Sequence, residues 1–180
     1  MAYWAGRLFL GRDIRQYGNG NPGAVNVWRA GGRKAFAVAL LLEFLKGALP
    51  IWLGRSLGGL SGPRLVPPAL AAPLGHACSP LLGFRGGKAL AVTFGVWSGL
   101  TGWRAPLLLG GLFGLMLRAA PPEARAVRLG MVGFDLLLGL AAARRKADPW
   151  LLATALGHTA LLFWTHRRRP AGDGGRGRVR

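Results

Sequence analysis

From the N-terminus onward, apolar residues fall in long blocks and polar residues in short intervals between them. Met1–Leu10 is apolar apart from Arg7. It is too short to cross a hydrocarbon core of roughly 30 Å, which takes about 20 residues of helix. Gly11–Lys34 is a polar, glycine-containing loop. Ala35–Leu53 is long enough to span, interrupted only by Glu43 and Lys46, and Pro50 is expected to kink or end that helix. Gly54–Pro63 is a glycine-rich connection. Arg64–Leu82 is apolar but broken by Pro67, Pro68, Pro73 and Pro80. Ala89–Trp103, Ala105–Leu117, Leu129–Ala143 and Pro149–Thr165 complete the apolar blocks. They are separated by a turn at Arg104, a polar loop Arg118–Arg128 and the basic turn Arg144-Arg145-Lys146. The pattern predicts an all-α, polytopic membrane bundle of about seven helical segments, the first of them truncated. Residues 1–166 form the membrane domain, and residues 167–180 a basic, glycine-rich tail expected to be disordered.

Charge sharpens this picture. The chain of 180 residues has a formal net charge of +18 and is 51% hydrophobic. A soluble nucleic-acid binder would put its basic residues on the polar faces of amphipathic elements. Here Ala35–Leu42 and Leu107–Leu117 carry no charge at all, so a nucleic-acid partner is not expected and a membrane partner is. The positive-inside rule places the first loop, the Arg85–Lys88 loop and the Arg118–Arg128 loop on the cytoplasmic face of a cell membrane, with the Arg144–Lys146 turn as the exception. Trp4, Trp52, Trp97, Trp103, Trp150 and Trp164 fall near predicted span ends, as interfacial anchors do. Cys78 is the only cysteine, so no intrachain disulfide can form. No pattern speaks to oligomeric state, and no histidine and carboxylate set has metal-ligand spacing.

Two polar stretches carry the candidate chemistry. The first is Gly18-Asn19-Gly20-Asn21-Pro22-Gly23-Ala24-Val25-Asn26-Val27-Trp28-Arg29. The second is Gly75-His76 followed by Phe84-Arg85-Gly86-Gly87-Lys88. Backbone N–H groups of glycine-rich turns can cradle anions, and Arg and Lys add formal charge. Together they read as one phosphate-handling site. Glu43 and Lys46 lie three apart on one helix face, either as a structural ion pair or as support for that site. His76 is either a general base or a structural histidine in a tight turn.

The spacing Gly18-x-Gly20-Asn21-x-Gly23-x-x-Asn26-x-x-Arg29 resembles the first motif of the bacterial acyl-phosphate:glycerol-3-phosphate acyltransferases, the PlsY family. Glu43-x-x-Lys46-Gly47-x-x-Pro50 is similar to the acidic-lysine helix of that family. Phe84-Arg85-Gly86-Gly87-Lys88 with Ala91-x-Thr93 resembles its second motif. The resemblance covers the first half of the chain. It implies a fold of about seven membrane helices and transfer of a fatty acyl group from acyl-phosphate to glycerol 3-phosphate, giving lysophosphatidic acid and phosphate for phospholipid synthesis. It implies no cofactor. Catalytic roles fall to His76, Lys88 and Asn19. Phosphate binding falls to Gly20, Asn21, Gly23, Asn26, Arg29, Gly86, Gly87 and Lys88, and support to Glu43, Lys46 and His166. The chain departs from the family in having Asn19 where serine is usual and Val25 where threonine is usual. The later serine-bearing motif is replaced by a loop, Ala119–Arg128, without Ser or Thr. The alternative reading is a relative that binds phosphorylated lipid or glycerol phosphate without turnover.

Overall fold

The computed structural model describes residues 1–120 and 122–167. Among these there are eight α-helices, three 3₁₀ turns and no strand, one helix more than the apolar blocks suggest. Three helical segments, Arg33–Ser56, Gly62–Leu82 and Glu123–Ala143, are long and apolar enough to cross a membrane.

Helix α1 (Ala2–Leu10) is the short first segment, ended by Gly11 in the left-handed conformation (φ 61°). The stretch expected as a single loop, Gly11–Lys34, contains a helix of its own, α2 (Ala24–Arg29). Ala24, Val27 and Ala30 of that region are buried against Ala2, Ala5, Ile14, Ala35 and Ala39. This small apolar cluster stabilises a helix too short to persist alone. Ahead of it, Asp13 caps a 3₁₀ turn and accepts the Arg15 backbone N–H at 3.0 Å. The Arg15 guanidinium hydrogen-bonds the same carboxylate and holds Asp13 down at about 2, so the pair stays charged at neutral pH.

Helix α3 (Arg33–Ser56) runs through Pro50 without ending there, as membrane helices tolerate when packing satisfies the freed backbone. The proline-rich stretch becomes a 3₁₀ turn at Gly62–Leu65 and helix α4 (Val66–Ala77). Its Pro67 falls in the first turn, where the missing N–H has no partner to lose. Helices α5 (Leu90–Thr101), α6 (Arg104–Ala119), α7 (Glu123–Ala143) and α8 (Pro149–Arg167) follow. Half of the expected Arg118–Arg128 loop is therefore the start of α7, and Glu123 in its first turn suits the helix dipole. Arg167, assigned to the tail from sequence, ends α8. The remainder of the tail lies outside the described residues.

The main core gathers Ile51, Trp97, Leu109, Phe113, Met131, Phe134 and Leu162. Trp97 is therefore not an interfacial anchor. It is fully buried, edge-on to Phe134 at 4.9 Å between centroids and to His158 at 5.9 Å. Helix α3 packs most extensively on α5, because glycines let the backbones touch. A Cβ at Gly95 would overlap the Phe44 carbonyl, and one at Gly47 the Val92 carbonyl. Gly95 and Gly99 are four apart, the small-residue spacing that permits close approach of membrane helices. The contacts pair Gly47 with Val92 and Val96, and Gly99 with Ile51, so α3 and α5 are parallel.

Candidate active site

Asn26 organises the first motif. It is 2% exposed. Its Nδ2 donates to Asn19 Oδ1 (3.0 Å) and to the Asn21 carbonyl (2.8 Å), while its Oδ1 accepts from Arg29 Nη1 (3.3 Å). Both amide hydrogens are thus used inside the loop, so Asn26 shapes the cradle and has no donor left for a ligand. Asn19 Oδ1 also takes the Asn21 backbone N–H (3.2 Å), which leaves the Asn19 Nδ2 hydrogens available. Gly18 adopts φ 58°, and a Cβ there would overlap the Arg29 guanidinium. The bend that folds the loop over Arg29 therefore requires glycine.

The second motif enters α5 through a strained corner. Ala89 caps that helix with φ 63°, a conformation that costs an alanine roughly 1–2 kcal/mol. The Gly86 N–H donates to the Ala77 carbonyl at 3.1 Å. A Cβ at Gly86 would overlap the His76 carbonyl, and one at Gly87 the His76 imidazole. The loop is thereby pressed onto the end of α4. The Thr165 hydroxyl, from α8, lies 3.2 Å from the Lys88 carbonyl. Lys88 Nζ meets Glu123 Oε1 at 3.0 Å, and the Glu123 side chain is 53% exposed. An exposed pair of this kind is worth at most about 1 kcal/mol, so a phosphate can displace the carboxylate.

The supporting residues have other partners than each other. No Glu43–Lys46 ion pair forms among the described residues. Instead Glu43 Oε1 accepts the Ala2 backbone N–H at 3.4 Å, and Lys46 Nζ is in close contact with His76 Nδ1. An ammonium only donates, so Nδ1 accepts and the imidazole proton sits on Nε2, against Gly87. One His76 nitrogen is thus engaged by Lys46, and the ring borders the same cavity as Arg29 and Lys88. His166 is arranged differently. Its Nδ1 donates to the Leu162 carbonyl at 2.8 Å. Its Nε2 is buried without a hydrogen-bond partner, 3.7 Å from Glu123 Oε1.

Two cavities of contrasting chemistry meet at these loops. One, of about 760 Å³, is lined by Arg15, Arg85, Lys88, Asn19, Asn21 and Thr165, with backbone from Gly20, Gly86 and Gly87. The other, of about 390 Å³, is bounded by Arg29, His76, Lys88, Asn19 and Asn26 at one end. Phe36, Phe44 and Phe94 extend it along α3 and α5. Asn19, Asn21 and Lys88 belong to both. The two motifs, separated by some fifty residues of sequence, therefore lie at one end of the bundle. Arg29 and Lys88 border the same cavity.

A model of the family described as Glycerol-3-phosphate acyltransferase matches residues 1–171. The chain belongs to that family. It is 38% identical over 168 residues to Glycerol-3-phosphate acyltransferase 1 of Thermotoga maritima, covering 87% of this chain and 82% of that one. It is 43% identical over 166 residues to the glycerol-3-phosphate acyltransferase of a Synechococcus strain, covering 92% and 80%. The fold is similar to the crystal structure of PlsY, an integral membrane glycerol 3-phosphate acyltransferase, in its glycerol 3-phosphate form. The TM-score is 0.77 at 28% identity, over 92% of this chain and 81% of that chain. The lysophosphatidic acid form of PlsY superimposes with a TM-score of 0.73. Membership agrees with the all-α, multi-pass membrane architecture.

Sequence reasoning passed over three residues of the site. Arg15 and Thr165 line the larger cavity, and Glu123 pairs with Lys88. Glu123 had one legible mark: it is the only carboxylate between Glu43 and Asp135. Its partner lies 35 residues earlier, which no local pattern encodes.

Proposed function

We propose that this acyltransferase of phospholipid synthesis takes its acyl group from acyl-phosphate and passes it to the 1-hydroxyl of glycerol 3-phosphate. The observation that carries the reading is the meeting of a polar, cationic cleft and an apolar-walled cavity at Lys88 and Asn19. Such a junction suits a water-soluble phosphate ester on one side and a phosphate bearing a long acyl chain on the other. In the reaction the glycerol hydroxyl oxygen attacks the acyl carbonyl carbon. The bond from that carbon to the phosphate oxygen breaks, phosphate leaves with the electron pair, and the hydroxyl proton ends on the phosphate. No covalent acyl-enzyme is required, because acyl-phosphate is already activated.

In this scheme Lys88 and Arg29 offset the phosphate charge, and Lys88 stabilises negative charge as it moves onto the leaving group. Asn19 donates from Nδ2 to a substrate oxygen, in the place where the family more often has a serine hydroxyl. Gly86 and Gly87 let the backbone approach the phosphate. Asn26, Gly18 and His76 hold the two loops in place. His166, buried beside Glu123 at the end of α8, supports the site from behind. The same end of the bundle faces the cytoplasm, as the concentration of Arg and Lys there supports.

The purified protein, given a fatty acyl-phosphate and glycerol 3-phosphate, is expected to release inorganic phosphate and form lysophosphatidic acid only when both are present. Saturable glycerol 3-phosphate binding without phosphate release would favour the non-catalytic relative. For orientation, Arg125→Cys in a Cys78→Ala background should react with an impermeant maleimide in inverted vesicles and stay unlabelled in right-side-out ones. Arg125 is exposed at the motif end of α7, and the opposite labelling would reverse the topology.

A further inference from the structure

The apolar part of the smaller cavity has a floor. Phe36, Leu40 and Phe44 recur every four residues on one face of α3, and Leu90, Ala91 and Phe94 face them from α5. The two helices start at the phosphate end and converge away from it. At the level of Phe44 and Phe94 their backbones already touch. A Cβ on Gly95 would overlap the Phe44 carbonyl, one on Gly47 the Val92 carbonyl, and one on Gly99 would stand 2.7 Å from Ile51 Cβ. No hydrocarbon chain passes between helices in such contact. The Phe94 ring is backed from the far side by Phe113, at 5.7 Å between centroids and 61° between planes. Leu40 is 41% exposed, so the groove is open sideways toward lipid and closed only at its base.

We infer that Phe44 and Phe94 close the acyl groove and determine how much of the donor's acyl chain the enzyme holds, which makes them specificity-determining residues. The inference rests on the acyl-phosphate reading above. The occupant follows from continuity: the groove opens at Lys88 and Arg29, which suit a phosphate, and beyond them its walls are apolar apart from Glu43, which accepts the Ala2 backbone N–H. Its length follows from α3. Phe36 to Phe44 is eight residues, about 12 Å at 1.5 Å per residue. An extended hydrocarbon with bonds near 1.5 Å and angles near 111° advances about 1.25 Å per carbon, so about ten carbons fit. A longer chain has to bend out past Leu40 at the phenylalanine floor.

The test is a competition among saturated acyl-phosphates of 8 to 18 carbons, about the span that brackets the groove length. All are supplied together with glycerol 3-phosphate to the purified protein, and the lysophosphatidic acids formed are resolved by mass. Wild type is expected to discriminate steeply among chains shorter than the groove and weakly among longer ones. Phe44→Ala and Phe94→Ala should move the break to longer chains, changing the product ratio across it by about tenfold, the scale of one methylene in an apolar pocket. Phe44→Trp should move it to shorter chains. Because the alanine variants open a cavity, Phe94→Leu is included as a milder change expected to shift the break in the same direction. Leu108→Ala, outside the groove, should leave it where it is. Active floor variants with the wild-type product profile would overturn the inference while leaving the acyl-phosphate reading intact. Absence of phosphate release from wild type with every chain length would overturn both.

Discussion

Lys88→Ala is expected to lower kcat/KM for acyl transfer by about 10²–10³-fold, the usual effect of removing one donor that stabilises charge developing in a transition state. The geometry explains why one ammonium should matter so much. Among the described residues Lys88 is the only cation bordering both cavities. Its backbone is held from three directions: the Gly86 hydrogen bond to Ala77, the left-handed Ala89 that follows, and the Thr165 hydroxyl at its carbonyl. The charge is therefore presented with little reorganisation. Its present partner, Glu123, is weakly held and half exposed, so the contact does not compete seriously with phosphate. Lys88→Arg should recover part of the loss, since charge is kept while the point-like ammonium is replaced by a wider planar group. Phosphate release measured over a range of glycerol 3-phosphate concentrations, with thermal unfolding as the control for folding, checks this. Turnover within a few-fold of wild type in a folded Lys88→Ala protein would remove Lys88 from the reaction.

The largest expected effect on stability lies in the membrane core. Gly95→Ala should destabilise by about 3 kcal/mol or more, at the upper end for overpacking. The added methyl meets the Phe44 carbonyl and the Ala48 backbone nitrogen, and neither can rotate away as a side chain would. For a chain of this size that corresponds to a fall in Tm of roughly 6–12 °C. Activity should fall with it, because separating α3 from α5 also opens the base of the apolar groove. Gly111→Ala is the matched comparison. It sits inside α6 with nothing within 4 Å of a new Cβ, so the same substitution should be neutral or stabilising by up to about 1 kcal/mol through helix propensity. Thermal unfolding of both variants in one detergent separates the contact from any general effect of removing a glycine. Equal Tm values would show that the helices are not in backbone contact.

What could be read along the chain was whatever depends on neighbours in sequence. Uninterrupted apolar blocks such as Ala35–Leu42 have one stable solution in lipid, a helix that satisfies its own backbone, so the all-α membrane fold was legible. The Gly18–Arg29 and Phe84–Lys88 spacings were legible too, because a tight glycine turn closed by a cation is a local arrangement, and through them so was the family. Other features depended on which surfaces meet. Helix α2 exists because Val27 and Ala30 find an alanine-lined face on α1 and α3, although its own six residues would not nucleate it. Trp97 went inward because Phe134 and His158 offered it a pocket. Lys46 turned from Glu43, three residues away, to His76, thirty residues away, and Glu123 found Lys88 across two intervening helices. Charge signs and residue types are written in the sequence, but an ion pair or a groove forms only between atoms that packing brings together. In this bundle that packing begins with the glycine contact between α3 and α5.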